Sequence, residues 1–210
     1  MMIGRCFCCI VLLLLTAGCL TAPDIEKTRL YMLQPDINVP TAAPLELTLG
    51  VRPLFAARPY GLPMTFLDAN QQLGYRTKEE WAEPPADTVT RALTDALAAT
   101  KRFKDVGNAS DMARPELLLT GELRKFYENR AVEPRRAEVE VRLELRFSRA
   151  PGAYWAQTLS ETVAIQADDA PAFAAAMNEA VACLVVRAAD AIAAVDPPDM
   201  NDGALTGQKR

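Results

Sequence analysis

Residues 137–148 read AEVEVRLELRFS. Val139, Val141, Leu143, Leu145 and Phe147 alternate with Glu138, Glu140, Arg142, Glu144 and Arg146. Successive side chains on an extended strand point to opposite faces, so the pattern predicts a long strand with one face in a core and one in water. The mixed charge of the wet face reads as solvated surface, or as a device that sets register against an oligomeric neighbour. Working outwards, residues 129–136 hold Pro134 and form a turn, and residues 116–128 form a second long strand. On the other side, Pro151-Gly152 turns the chain into a third strand over 153–166.

Further upstream, Leu45, Leu47, Leu49 and Val51 alternate across a strand at 45–51, and a first short strand is expected at 29–34. Four turn-forming residues, Asp68-Ala69-Asn70-Gln71, separate strands at 64–67 and 72–76 and predict a hairpin. Residues 52–63 contain three prolines and a glycine and read as loop. Val89, Leu93, Ala96 and Leu97 lie at helical spacing within 87–100, after Pro84-Pro85, which a helix start tolerates. Lys101-Arg102 suits the negative end of that helix, and residues 103–106 form a short strand. A last helix begins at Asp168 or Asp169 as cap, with Pro171 in its first turn. Phe173, Met177, Val181, Leu184, Ala188 and Ile192 make its apolar stripe, and Pro197-Pro198 ends it. The expected fold is α+β: four to seven strands in a mostly antiparallel or mixed sheet, with two long helices packed on one face. The domain spans 29–195, and residues 196–210, poor in apolar side chains, form a disordered tail.

The N-terminus has a different character. Arg5 precedes an apolar run over 7–15, followed by Thr16, Ala17, Gly18 and Cys19. A basic start, a short apolar stretch and small residues make a secretory signal over 1–18. The run is shorter than the roughly 20 residues that span a bilayer. Cys19 directly after the small residues resembles the lipobox of bacterial lipoproteins, with Thr16 where Leu is usual. That resemblance implies cleavage after Gly18, a diacylglycerol thioether on Cys19, and acylation of the new amine by a chain such as palmitate. An ordinary signal with a chance cysteine, or an uncleaved anchor, stays open. Residues 19–28 would be a lipidated tether. Leu20 follows the cysteine in place of an inner-membrane-retaining Asp, which resembles an outer-membrane address.

Without its signal the chain keeps 192 of 210 residues, with 22 basic and 27 acidic side chains. That size supports one domain with a sizeable core, and the acidic balance argues against nucleic acid. Cys6, Cys8 and Cys9 leave with the signal, so Cys183 is the one thiol beyond the acylated Cys19. No intramolecular disulfide can form, and Cys183 is expected as a small buried hydrophobe, with an intermolecular disulfide as the alternative. The chain has no histidine, which removes His-based acid–base catalysis, Ser-His and Cys-His pairs and the commonest transition-metal ligand. None of Ser110, Ser148 or Ser160 sits in a nucleophile elbow, and phosphate-cradling or dinucleotide motifs are missing. No catalytic residue, cofactor or metal site is expected. Asp168-Asp169 reads as a helix cap rather than a metal site. Two residues are candidates for a partner interface: Tyr60, in a loop, and Trp81, which reads first as a core or capping aromatic.

The stretch LGVRPLFAARPYGLPMTFLDANQQLGYRTKEEWAEPPADTVTRALTDALAATKRFKDV, the following ELLLTGELRKFYE and the lipobox together resemble the PqiC-like ABC-type transport auxiliary lipoproteins. The most telling part is Tyr75-Arg76, Trp81-Ala82-Glu83-Pro84 and a helix ending near Phe103 and Val106. The resemblance implies a non-enzymatic outer-membrane lipoprotein facing the periplasm. Its partner would be a mammalian-cell-entry (MCE) domain protein in an intermembrane lipid transport system supporting membrane integrity, and a homo-oligomeric ring is allowed. Two other readings stand beside it: a structural or assembly lipoprotein partnering an outer-membrane protein, and a cell-envelope hydrolase, which the missing histidine disfavours.

Overall fold

The computed structural model describes residues 26–58 and 60–197. The signal segment with Gly18, Cys19 and most of the tail lie outside the described residues. Nine strands and two helices follow in the order β1 (Arg29–Tyr31), β2 (Leu45–Val51), β3 (Phe55–Ala56), β4 (Pro63–Leu67), β5 (Leu73–Trp81), α1 (Pro85–Ala99), β6 (Phe103–Asn108), β7 (Leu117–Asn129), β8 (Arg136–Phe147), β9 (Trp155–Ala164) and α2 (Ala170–Ala193). All nine strands, where four to seven were expected, form one mixed sheet, and the fold is α+β as expected.

β7, at 13 residues, is the spine. One of its edges pairs antiparallel with β8, and β8 pairs antiparallel with β9. Its other edge is shared by three shorter strands, all parallel to it. β2 pairs at Leu117–Leu119, β3 at Glu122 and Leu123, and β4 at Glu128 and Asn129. The sheet therefore forks. One arm continues from β2 to β6, and the other from β4 through β5 to β1.

The alternation read from the sequence sets which face is covered. Ala137, Val139, Val141, Leu143 and Leu145 are buried, as are Leu117, Leu119, Leu123 and Phe126 beside them on β7. Both helices cover this face and touch each other. α1 buries Val89, Leu93, Ala96 and Leu97, and starts after Pro84 without a side-chain cap. α2 is capped by Asp169, whose carboxylate accepts from the Ala172 N–H at 2.8 Å. Its length and apolarity would suit a bilayer, but its stripe from Phe173 to Ile192 is buried in the core. Burying one such side chain contributes roughly 1.5–3 kcal/mol, so packing rather than propensity holds this helix.

Four details depart from expectation. β1 stops at Tyr31, because the chain then crosses to α2, where the Gln34 N–H donates to Asn178 at 2.7 Å. The proline-containing loop holds the two-residue strand β3. β5 continues to Trp81 across an irregularity at Lys78, whose φ is 56°. Arg102 does not serve the end of α1. It turns inward and donates to the Ala43 carbonyl at 2.7 Å and the Asp196 carboxylate at 2.6 Å.

Candidate functional site

The described residues carry one heavily charged buried cluster, at the end of β7. Glu128 is fully buried and accepts from Arg76 Nε at 2.9 Å and from Arg130 at 2.8 Å, with Arg135 at 3.6 Å. Arg76 also donates to Glu79 at 3.1 Å, and Glu79 accepts from Arg29 at 2.7 Å. Arg135 pairs with Asp168 in turn. Burial works against the charge of Arg76, but hydrogen bonds and attraction from Glu128 and then Glu79 outweigh it and raise its pKa. The aromatic core lies alongside. Trp81 packs edge-on against Phe126 with centroids 5.5 Å apart, and Phe173 stands 5.5 Å from Trp81 on its other side. Arg76 lies 5.8 Å from the Phe173 ring, and Arg130 lies 3.8 Å over Phe66. Every carboxylate here faces arginine, and the cluster ties β5 and β7 to the turn before α2.

The sheet face away from the helices is open. Glu138, Glu140, Arg142 and Glu144 of β8 are half-buried there and paired with one another or with β7. Glu138 accepts from the Tyr127 hydroxyl at 3.1 Å and from Asn129 at 2.7 Å, and Glu140 pairs with Lys125 at 3.2 Å. Burial, then the charge of Glu138, pushes the Tyr127 phenol well above its ordinary range. Glu138, Glu140, Arg142 and Glu144 are thus paired within the chain, and Arg146 stands outside the ion pairs of the described residues.

Two grooves flank this face. One, of about 750 Å³, is lined by Arg58, Arg124, Lys125, Glu122 and Glu140, and Tyr60 lies at its base. The other, of about 740 Å³, has an apolar floor of Leu47, Met112, Leu118 and Phe147. Arg52, Arg114 and Arg149 stand around that floor, and none is among the ion pairs of the described residues. The acid on this groove, Glu116, is occupied: it accepts from the Thr48 hydroxyl and from the Thr48 N–H at 2.7 Å. Those bonds hold its carboxyl below the usual range. The second groove can therefore accept an anionic group with apolar surface beside it. Arg52, Arg114 and Arg149 come from three separate loops, and no spacing in the sequence joins them.

Of the two partner-interface candidates, Trp81 lies in the core, as its first reading had it, and Tyr60 departs from its expected place on a loop surface. Trp81 is 2% exposed and Tyr60 3% exposed. Trp81 is a core aromatic, and Tyr60 folds under its loop so that its hydroxyl donates to the Arg124 carbonyl at 3.2 Å. Neither side chain offers surface to a partner. Cys183 also departs from expectation, because it is exposed. It lies on the row of α2 that includes Ala175, Glu179 and Arg187, which faces away from the core. Asp169 caps α2 and Asp168 pairs with Arg135, and no group of metal-ligating side chains occurs among the described residues.

A family model described as ABC-type transport auxiliary lipoprotein component matches residues 64–189. The chain belongs to this family. The match runs from β4 to the last turns of α2, so it includes the spine strand, both helices and the buried cluster around Glu128. The family is described as an auxiliary component of ABC-type transport. Among solved structures, XCC0632 from Xanthomonas campestris is 18% identical, with a TM-score of 0.69 over 77% of this chain and 92% of its own. An uncharacterized protein is 12% identical, with a TM-score of 0.63 over 80% of this chain and 99% of its own. At these identities the likeness is one of fold. No curated protein matches the sequence.

Proposed function

We propose that the chain is an outer-membrane-anchored periplasmic lipoprotein, a non-enzymatic accessory of an ABC/MCE-type intermembrane lipid transport system. Residues 1–18 are its signal, Cys19 carries lipid after cleavage behind Gly18, and residues 20–28 tether the domain. One observation carries the reading: a chain of the auxiliary lipoprotein family opens with a basic residue, a short apolar run and Ala17-Gly18-Cys19. Several acyl chains on Cys19 would give durable anchoring, since each buried methylene contributes about 0.8 kcal/mol and one chain alone holds marginally. Nine extended residues reach about 30 Å, so the domain works beside its membrane and an MCE-domain partner must come to it. The arginine-rimmed groove is where we place that contact, because Arg52, Arg114 and Arg149 form no ion pair among the described residues. Self-association, as a ring or otherwise, belongs to the same reading.

Two experiments test it. Metabolic labelling with a fatty acid should mark the wild type and not Cys19→Ala, and that variant should leave the membrane fraction. Lipid labelling of Cys19→Ala would remove the anchor assignment. Crosslinking in whole envelopes followed by purification of the lipoprotein should recover an MCE-domain protein. Recovery of an outer-membrane barrel alone would replace transport with an assembly role.

A further inference from the structure

β9 is an outer strand of the sheet and pairs only with β8, in unbroken register from Trp155 to Ala164. The Ile165 N–H donates to the Arg135 carbonyl at 2.8 Å, which places the odd-numbered residues of β9 in the hydrogen-bonded pairs with β8. The other side of β8 agrees. The Ser148 N–H donates to Glu116 at 2.8 Å, so even-numbered β8 residues bond β7 and odd-numbered ones bond β9. Alternation then turns the backbone N–H and C=O groups of Ala156, Thr158, Ser160, Thr162 and Ala164 outwards. Arg187 reaches the Ser160 carbonyl at 3.2 Å and Gln166 the Ala164 carbonyl at 3.4 Å. The other outward groups have no partner among the described residues.

Proteins blunt a free edge with charge, proline, bulges or brevity. β6 is short and carries Lys104 and Asp105, and β1 has three residues including Arg29. β9 has ten residues, no proline, no bulge, and one charged residue, Glu161, which Arg187 neutralises. Its outward positions read Ala156, Thr158, Ser160, Thr162, Ala164, a palindrome about Ser160. An antiparallel strand with the same sequence, centred on Ser160, sets Ala against Ala, Thr against Thr and Ser against Ser. Those positions are the ones whose backbone groups point outwards, and the Ser160 and Ala164 carbonyls would accept from the second strand beside, or in place of, Arg187 and Gln166.

We propose that the β9 edge is a self-docking surface, where a second copy of this chain pairs antiparallel about a two-fold axis through Ser160. α2 supports the same centre. Helix side chains lean towards the helix N-terminus, so the head group of Arg187, beside Ser160, stands about level with Cys183. A two-fold at that level brings Cys183 opposite the partner's Cys183, and sets the two Arg187 head groups on the same level, each paired with Glu161 of its own chain. The strand is self-complementary about this axis, and the helix places its exposed thiol on the same level. Such an isologous contact closes on itself, so a ring would need a second, different contact. Pairing does not depend on what the protein transports.

The test uses the full-length chain in its envelope. A short bismaleimide should capture a dimer of the wild type through Cys183. In a Cys183→Ser background, Ser160→Cys should give a reducible dimer under mild oxidation, because paired strands place facing Cα atoms about 5.5 Å apart, within disulfide reach. Thr158→Cys or Thr162→Cys alone should remain monomeric, while co-expressing the two should give the mixed dimer. Thr158→Lys with Thr162→Lys should dissociate the pair in detergent sedimentation, and Thr158→Lys with Thr162→Glu should keep it. A monomer at every position, equal crosslinking at all three, or loss of pairing in both charge variants overturns the proposal.

Discussion

Replacing Glu128 with leucine removes the carboxylate at the centre of the buried cluster. Arg76, whose side chain is 9% exposed, would lose its Nε partner and keep only Glu79, at 3.1 Å. Removing one partner of a buried pair typically costs about 3–5 kcal/mol, and the surviving Glu79 contact places Glu128→Leu near about 3. Arg76→Leu is milder, about 1–3 kcal/mol, because Glu128 retains Arg130 at 2.8 Å. The double substitution should return to within about 1 kcal/mol of wild type. The remaining charges then close into pairs, Arg29 with Glu79 and Arg135 with Asp168, while Arg130 stays over Phe66 with a path to water. The two leucines would meet Phe173 and the aromatic core. Urea unfolding of the four proteins at neutral pH gives the cycle, with an unchanged m value as the check on two-state behaviour. In thermal melts the Glu128→Leu loss corresponds to about 6–12 °C for a domain of this size. The reasoning fails if Glu128→Leu costs less than about 1 kcal/mol, or if the double variant is as unstable as the single one.

Cys183→Ser should change stability by no more than about 0.5 kcal/mol, because the thiol is exposed; a loss of several degrees in a thermal melt would return Cys183 to the core. Gly121→Ala should destabilise by about 1–3 kcal/mol, since a Cβ there would stand 2.6 Å from the Arg142 backbone oxygen; denaturant midpoints near wild type would show that β7 and β8 are less tightly apposed. Glu116→Gln should weaken the domain at neutral pH only. The Thr48 bonds depress the folded-state pKa, so their contribution is complete above the unfolded value of about 4.3 and is lost as pH falls through the folded value. A stability difference from wild type that persists in acid would refute the carboxylate's role.

What was legible in the sequence follows from how local each signal is. β2 occupies the residues its leucines indicate, and β8 lies within a residue of its expected limits, because period-two alternation reports burial strand by strand. β3 was illegible: two residues between prolines become a strand only because β7 leaves an edge there. Tyr60 reads as a surface residue because Pro59 and Gly61 mark a loop, yet the ring folds back onto β7. Cys183 lies between Val181 and Leu184, both buried, which hides its place on the outer row. Counting in fours from Ala175 through Glu179 to Arg187 exposes it. The arginines of the apolar groove were beyond reach, since three loops far apart in sequence meet only after the sheet forms.

In the proposed arrangement, anchoring and pairing use opposite edges of the sheet. Leu30 pairs with Glu80, and Glu80 with Pro63. Pro63 lies three residues before Phe66, the partner of Glu128, and so stands beside Lys125. Lys125 pairs with Glu140, and Glu140 with Ser160. The chain therefore joins the sheet level with the two-fold proposed at Ser160. Five inter-strand steps, from β1 through β5, β4, β7 and β8 to β9, separate the two edges by about 24 Å. In the pair both tethers leave from the outer margins, on the level of the axis, and each reaches about 30 Å. Both lipids can then enter one leaflet when the sheet lies along the bilayer with the two-fold perpendicular to it. A copy already anchored presents its β9 edge in the plane in which other anchored copies diffuse. Confinement to that plane raises their effective concentration and favours edge pairing that would be weak in free solution.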